Sequence, residues 1–199
     1  MAIYTVGMTG HMFSKIKFLF FILLINIFII SAYADDNFDE SDNHFTGQYV
    51  SVNAGATYAH NIYQFTHKSG FLGAGGSLFL GSQVNAFFAP ELEASYFSFG
   101  SSSGMTTFGL VGRFTLPVGS AWSFFVKLGP GYSEVITRLT NRVQKNSFVP
   151  LFGAGVGYGF APQWMGTLEA NGTYFSHSMG NATGPAGGVT IGVTHYWVE

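Results

Sequence analysis

Five ionisable residues stand out in a chain with few charges: Glu91, Glu93, Arg113, Lys127 and Glu169. In each surrounding segment, apolar residues occupy the alternate positions, so all five are expected on one face of a β-sheet. Acids and bases removed from water must pair with one another. The pattern therefore predicts a buried acid–base network near the middle of the strands. Such a network is either structural or part of a gated ion path.

Histidines offer a second kind of chemistry. His177 lies between Ser176 and Ser178, close to Asn181. A histidine that activates a serine needs a third group to orient its ring, and no acid lies nearby in sequence. His60 and His67 share one loop, but a metal site needs more ligands than two. No catalytic, metal or cofactor site is predicted.

The segment from Trp122 to Tyr132 shows which elements must position these residues. Alternate residues from Trp122 onward are apolar, whereas those from Ser123 onward are mostly small or charged. Ten steps of ~3.3 Å at a tilt of ~40° span ~25 Å, the height of the apolar band of a membrane-spanning barrel strand. Gln163–Phe175 repeats the pattern, again with ten residues from Trp164 to Tyr174.

Eight segments alternate in this way, and the connections between them are long and short by turns. An even number of strands, with long outer loops and short turns, is typical of an all-β, eight-stranded antiparallel up-and-down transmembrane β-barrel, here over 47–197. Pro90, Pro130 and Pro150 each remove a ladder donor, so we expect bulges or strand ends there. The predicted strands are Gln48–Tyr58, Phe71–Leu80, Phe87–Phe99, Thr107–Leu116, 122 to about 138, Phe148–Phe160, Gln163–Phe175 and Val189–Trp197. The predicted outer loops are 59–69, 100–104, 139–146 and 176–185, and the predicted turns include 81–85 and 117–120.

The aromatic residues sort to the two ends of these strands. Trp122, Trp164 and Trp197 fall on the short-turn side and predict a periplasmic girdle. Aromatic residues concentrate where a barrel meets the two membrane surfaces. The predicted outer girdle comprises Tyr58, Tyr96, Phe108, Tyr132 and Tyr174, with Phe148 nearby.

Composition excludes several classes of protein. Only 9% of the 199 residues are charged, against about 25% in soluble domains. Aromatic residues make up 18%, which is too apolar for a disordered chain. The formal net charge of −2 provides no basic patch for nucleic acid, and the lack of cysteine excludes disulfides.

The N-terminus has the pattern of an export signal. Lys15 and Lys17 precede a 13-residue apolar run, 18–30, and Ala32-Tyr33-Ala34 follows it. This predicts a signal peptide over 1–34, cleaved after Ala34, and then a periplasmic lead-in over 35–46. The alternative, an anchoring helix, needs ~20 apolar residues.

The chain resembles the small eight-stranded outer-membrane barrels of the OmpA transmembrane-domain, OmpX and Opa group. The segments that carry the resemblance are Gln48–Tyr58, Pro90–Tyr96, Val126–Tyr132, Phe152–Tyr158 and Ile191–Trp197. It implies a location in the bacterial outer membrane, contact with its lipid and lipopolysaccharide, and recognition of the C-terminal strand by the barrel-assembly machinery. The group usually ends on an aromatic residue, whereas here Val198 and Glu199 follow Trp197. The predicted charge network also resembles the cluster that plugs OmpA-type barrels.

The function expected from these features is a structural or surface-interaction role without catalysis. Host or surface ligands would bind at the loops 59–69, 139–146 and 176–185. One alternative is a lipid-modifying enzyme that uses His177, since an eight-stranded barrel with this histidine resembles the outer-membrane lipid A deacylases. The others are a narrow pore, and a soluble lipocalin-like barrel whose apolar faces point inward.

Overall fold

The computed structural model describes Phe45 and residues 47–59, 71–99, 103–137, 143–175 and 184–197. They form eight β-strands, and no helix in these ranges is long and apolar enough to cross a membrane. The strands are β1 (Gly47–Ala59), β2 (Phe71–Gln83), β3 (Phe88–Phe99), β4 (Ser103–Val118), β5 (Trp122–Thr137), β6 (Val143–Ala161), β7 (Trp164–Phe175) and β8 (Gly184–Trp197).

The eight strands form a closed barrel. Each strand pairs antiparallel with the next, and β8 pairs with β1, so that Val50 lies opposite both Leu80 and His195. Closure pairs the backbone of every strand on both sides, which is what a sheet surrounded by lipid requires. The predicted fold class is confirmed.

Side chains alternate between the lumen and the exterior as the sequence predicted. On β5, Lys127 is 5% exposed, while its neighbours Val126 and Leu128 are 55% and 63% exposed. The exterior is therefore a band of large apolar side chains, and the polar residues of the strands point inward. This is the reverse of a soluble lipocalin-like barrel and matches a lipid environment.

Several predicted loop boundaries were wrong because the strands are longer. β2 continues through the predicted turn 81–85 to Gln83, and β4 continues to Val118. At the other end of the barrel, strands take in positions that were predicted as loop: 59, 103–104, 143–146 and 184–185. Outside the lipid neither face of a strand has to be apolar, so the alternation can disappear while backbone pairing continues. The β5–β6 pairing extends in this way to Thr137 opposite Val143, well past the Tyr132–Phe148 pair.

The three prolines do not produce the expected bulges. They lie inside strands, and among the described pairs the register shifts between Gly159 and Ala161 instead. Each proline interrupts one of its two ladders: β2–β3 pairing ends beside Pro90, β6–β7 pairing begins after Pro150, and two β4–β5 pairs are missing beside Pro130. Pro130 and Pro150 face each other across β5 and β6. In an antiparallel ladder, every second pair of opposite residues exchanges no hydrogen bonds, and the two prolines occupy such a pair. Neither proline therefore costs a β5–β6 hydrogen bond.

The lumen is filled in three layers. We call the end with the short turns the periplasmic end, after the predicted orientation, and the opposite end the outer end. The layer at the periplasmic end contains Tyr49, Ala89, Met165 and Tyr196, with Phe45 packed against it. The middle layer is polar and holds the charged residues. The outer layer is apolar, and its members are Ala59, Phe97, Phe99, Met105, Val111, Val135, Val149, Leu151, Phe175 and Ala186. An eight-stranded barrel is just wide enough to be filled by its own side chains.

Candidate functional site

Four of the five charged residues singled out in the sequence meet in the middle layer. Lys127 Nζ lies 2.9 Å from Glu91 Oε2 and 3.0 Å from Glu169 Oε2. Arg113 Nη1 lies 3.5 Å from Glu91 Oε1. The register places Arg113 directly opposite Lys127 on adjacent strands, and Glu91 forms an ion pair with each of these bases. We refer to Glu91, Glu93, Arg113, Lys127 and Glu169 as the charge layer.

Glu93 shares this layer but takes no part in its three close ion pairs. It faces the lumen two residues beyond Glu91 and is 9% exposed. The charge layer therefore contains three carboxylic acids and two bases. Its formal charge of −1 disfavours any further anion inside the barrel.

Aromatic rings complete the surroundings of the two bases. Lys127 Nζ lies 3.5 Å from the centroid of the Phe79 ring, and the Arg113 guanidinium lies 4.0 Å from that of Phe125. A cation over an aromatic face is attracted by the negative charge of that face. The Tyr49 hydroxyl donates to Glu91 Oε1 at 2.6 Å.

A chain of polar side chains links Glu169 to the periplasmic half of the lumen. Asn53 Nδ2 donates to Glu169 Oε2 at 3.3 Å, Ser51 donates to Asn53 Oδ1 at 2.9 Å, and Thr194 donates to Ser51 at 2.9 Å. A Cβ at Gly192 would collide with Asn53 Oδ1, so glycine is required beside this amide. Tyr49, Ser51 and Asn53 were not among the predicted site residues. Their signal was present, since all three occupy inward positions of β1.

The apolar outer layer was also missed. Phe97 and Phe99 are both inward-facing and buried, and Val135, Val149 and Phe175 join them from three other strands. Their inward positions in the alternation could have revealed the layer. It places a seal of packed apolar side chains between the charge layer and the outer end of the barrel.

The predicted girdle residues lie on the exterior near the strand ends. Trp122 packs on Tyr158 with ring centroids 4.8 Å apart, and Trp164 packs on His195 at 4.4 Å, both at the periplasmic end. At the opposite end Tyr132 packs edge-on against Phe148 at 5.6 Å. Trp197, Tyr58, Tyr96, Phe108 and Tyr174 are likewise exposed on the exterior.

Other candidates from the sequence lie outside the described residues. They include His60, His67 and His177 with its neighbouring serines, most of the predicted outer loops, the signal peptide and all of the lead-in except Phe45. In the part of the chain that the structure describes, no three His, Cys, Asp or Glu side chains converge to hold a metal.

Solved structures share this fold. Neisserial surface protein A (NspA) superposes with a TM-score of 0.65 at 12% identity, covering 76% of this chain and 98% of that one. OprG from Pseudomonas aeruginosa gives 0.51 at 10% identity, covering 79% and 100%. Ail of Yersinia pestis, in complex with the heparin analogue sucrose octasulfate, gives 0.50 at 12% identity, covering 75% and 98%. No protein-family model and no curated protein sequence matches the chain. At these identities the likeness is one of fold.

Proposed function

We propose that this chain, a small eight-stranded β-barrel of the bacterial outer membrane, is a non-catalytic surface-interaction protein whose outer connections bind an anionic partner. The barrel supplies a rigid, lipid-embedded support. Binding takes place at the end where the long connections meet.

The observation that carries the proposal is the filled lumen. The charge layer is closed by ion pairs, and the apolar outer layer seals it from the outer end. A lumen packed with side chains supports a role other than conduction. The accessible polar surface of such a barrel is then at its ends.

The charges of the outer connections favour an anionic partner. The connections 60–70, 100–102, 138–142 and 176–183 join strand ends that share one end of the barrel. Their sequences contain Lys68, Arg138 and Arg142 and no Asp or Glu. Positive charge concentrated at one end attracts anionic groups and speeds their association. The phosphates of lipopolysaccharide and the sulfates of a host glycan share this chemistry, and Ail, with the same fold, was solved with a sulfated heparin analogue.

The test is a variant that neutralises the three bases: Lys68→Gln, Arg138→Gln and Arg142→Gln together. Each basic residue near an anionic surface contributes about 1 kcal/mol, so affinity for an anionic partner should fall roughly hundredfold at low salt. The full mature chain in detergent micelles is titrated separately with lipopolysaccharide and with heparin. The ligand that the neutralised variant no longer binds, lipopolysaccharide or heparin, identifies the source of the anionic groups.

A matched control changes the same connections without changing charge: Gln64→Ala, Thr140→Ala and Asn141→Ala. This control should bind as the parent does, and raising the salt should weaken parental binding. Binding that survives neutralisation in both arms would rule out the electrostatic partner.

We also propose that β8, which ends at Trp197, is the strand recognised by the barrel-assembly machinery.

A further inference from the structure

A small cavity opens beneath the charge layer at the periplasmic mouth of the barrel. Its volume is about 40 Å³, and the side chains lining it include Phe45, Gln83, Arg113, Thr115, Ser123 and Tyr196. We call it the vestibule. It is distinct from the outer connections to which we assign partner binding.

Arg113 is poorly satisfied by the protein around it. The side chain is 2% exposed and carries five N–H donors. Among the described residues, its hydrogen-bonding contacts are the long one to Glu91 Oε1, at 3.5 Å, and one to the Met165 sulfur, at 3.8 Å. The Arg113 Nε makes no hydrogen bond to the described residues. Thr115 Oγ1 is also buried and makes none to them either. Leaving such groups unpaired costs about 1–3 kcal/mol each, and more for a charged group.

The vestibule has the size and chemistry to satisfy these atoms with water. A buried water molecule needs roughly 10–15 Å³ of cavity volume. The 40 Å³ of the vestibule therefore accommodates about three water molecules. An anion is a poorer fit, because the charge layer already carries more acids than bases.

Phe45 lies at the edge of this space and lines it. Its ring packs against Tyr196 with centroids 4.9 Å apart. A Cβ added at Gly159 would lie 2.5 Å from Phe45 Cζ, so the ring lies directly against the Gly159 backbone. On the opposite side of the charge layer, the apolar outer layer blocks access.

We propose that the vestibule is a hydration site for Arg113 and Thr115, that it exchanges with the periplasm alone, and that Phe45 is its cap. Water reaches the base of the charge layer from one side. The apolar layer keeps the other side dry.

Accessibility of single cysteines tests this, because the chain contains no cysteine of its own. Ser123→Cys places a thiol in the vestibule, and Ser133→Cys places one on the same strand beyond the charge layer; both positions are buried. Each cysteine variant is made twice, once with the native Phe45 and once together with Phe45→Ala. The full mature chain in micelles is treated with a small cationic methanethiosulfonate, after a gel with and without boiling has verified a closed barrel.

We expect Phe45→Ala to raise the labelling rate of Ser123→Cys about tenfold, which corresponds to a capping contact of about 1.4 kcal/mol, and to leave Ser133→Cys unlabelled. Phe45→Leu should give an intermediate rate. Equal labelling at the two positions would refute one-sided access, and an unchanged rate in Phe45→Ala would refute the cap.

The water itself is tested by NMR of the parent barrel. The Arg113 Nε–H proton should show a cross-peak to water. An Nε–H without contact to water would refute hydration.

Discussion

Lys127 is the residue on which the charge layer most depends. Its ammonium group lies within 3.0 Å of carboxylate oxygens on two other strands, β3 and β7. In a buried site, removing one partner of an ion pair costs more than the pair contributes, because the remaining charge is left uncompensated. One side chain therefore fixes both carboxylates.

Replacing Lys127 with Met should lower the free energy of unfolding by about 3–5 kcal/mol, because Glu91 and Glu169 lose their shared cation. Urea unfolding of the barrel in lipid vesicles measures this. Val126→Met, one residue away on the lipid-facing side, should stay within about 0.5 kcal/mol of the parent. Adding Glu169→Gln to Lys127→Met, which leaves Glu91 paired with Arg113, should recover part of the loss. A single variant as stable as the parent would show that the ion pairs contribute nothing.

The sequence predicted which charged residues share the lumen but not which of them pair. Alternation with period two assigns a face without specifying height, and height depends on register and on strand tilt. Glu91 and Glu93 have the same pattern, yet the three close ion pairs include Glu91 and not Glu93. Phe45 had no signal at all, because its place in the periplasmic mouth depends on a glycine 114 positions later, Gly159.

At the scale of strands, a side-chain donor supports the backbone where Pro150 interrupts pairing. Pro150 interrupts the β6–β7 ladder, and the Thr173 hydroxyl donates to the Pro150 carbonyl at 2.8 Å. The Thr173 hydroxyl therefore gives the Pro150 carbonyl a side-chain donor from β7 at the point where the ladder is interrupted.

Thr173→Val should lower the free energy of unfolding by about 1–3 kcal/mol, because the Pro150 carbonyl is left without its donor. The matched control is Thr106→Val, the same substitution at a half-buried position whose side chain lies on the exterior face of β4. Urea unfolding midpoints of the two variants provide the comparison. If both variants shift equally, the Thr173 hydroxyl has no special part in β6–β7 pairing.

Strand existence and facing could be predicted because lipid imposes an apolar residue at every second position. Strand ends could not be predicted, since that constraint ends where the lipid ends. β6 shows both cases. Phe148–Phe160 alternates clearly, whereas 143–146, of which only Val143 is apolar, were predicted as a loop. Pairing with β5 carries the strand through them.

At the scale of the whole molecule, tryptophan distribution gives the barrel a direction. Trp122, Trp164 and Trp197 all lie on the exterior at the periplasmic rim. Indole rings favour the level of the lipid headgroups. Tryptophan fluorescence therefore reports one interface and little else.

We expect lipids brominated near their headgroups to quench this fluorescence more strongly than lipids brominated at the ends of their acyl chains. The control is a variant that carries Leu128→Trp in place of the three native tryptophans, because Leu128 is 63% exposed near mid-height. In this control the order of the two quenchers should be reversed. Stronger quenching of the parent by chain-end bromine would disprove the girdle.

Among the described residues, the long β5–β6 hairpin carries paired strands well beyond the outer aromatic level. From Phe148, at the outer aromatic level, to Val143 is five residues, or about 13 Å at ~3.3 Å per residue and ~40° tilt. The headgroup zone is only about 5–8 Å deep on each side. A peptide tag inserted at Thr140 would therefore be displayed clear of the lipid. Doubling the length of that connection would cost only about 0.6 kcal/mol, which makes this hairpin the natural place to attach a foreign epitope.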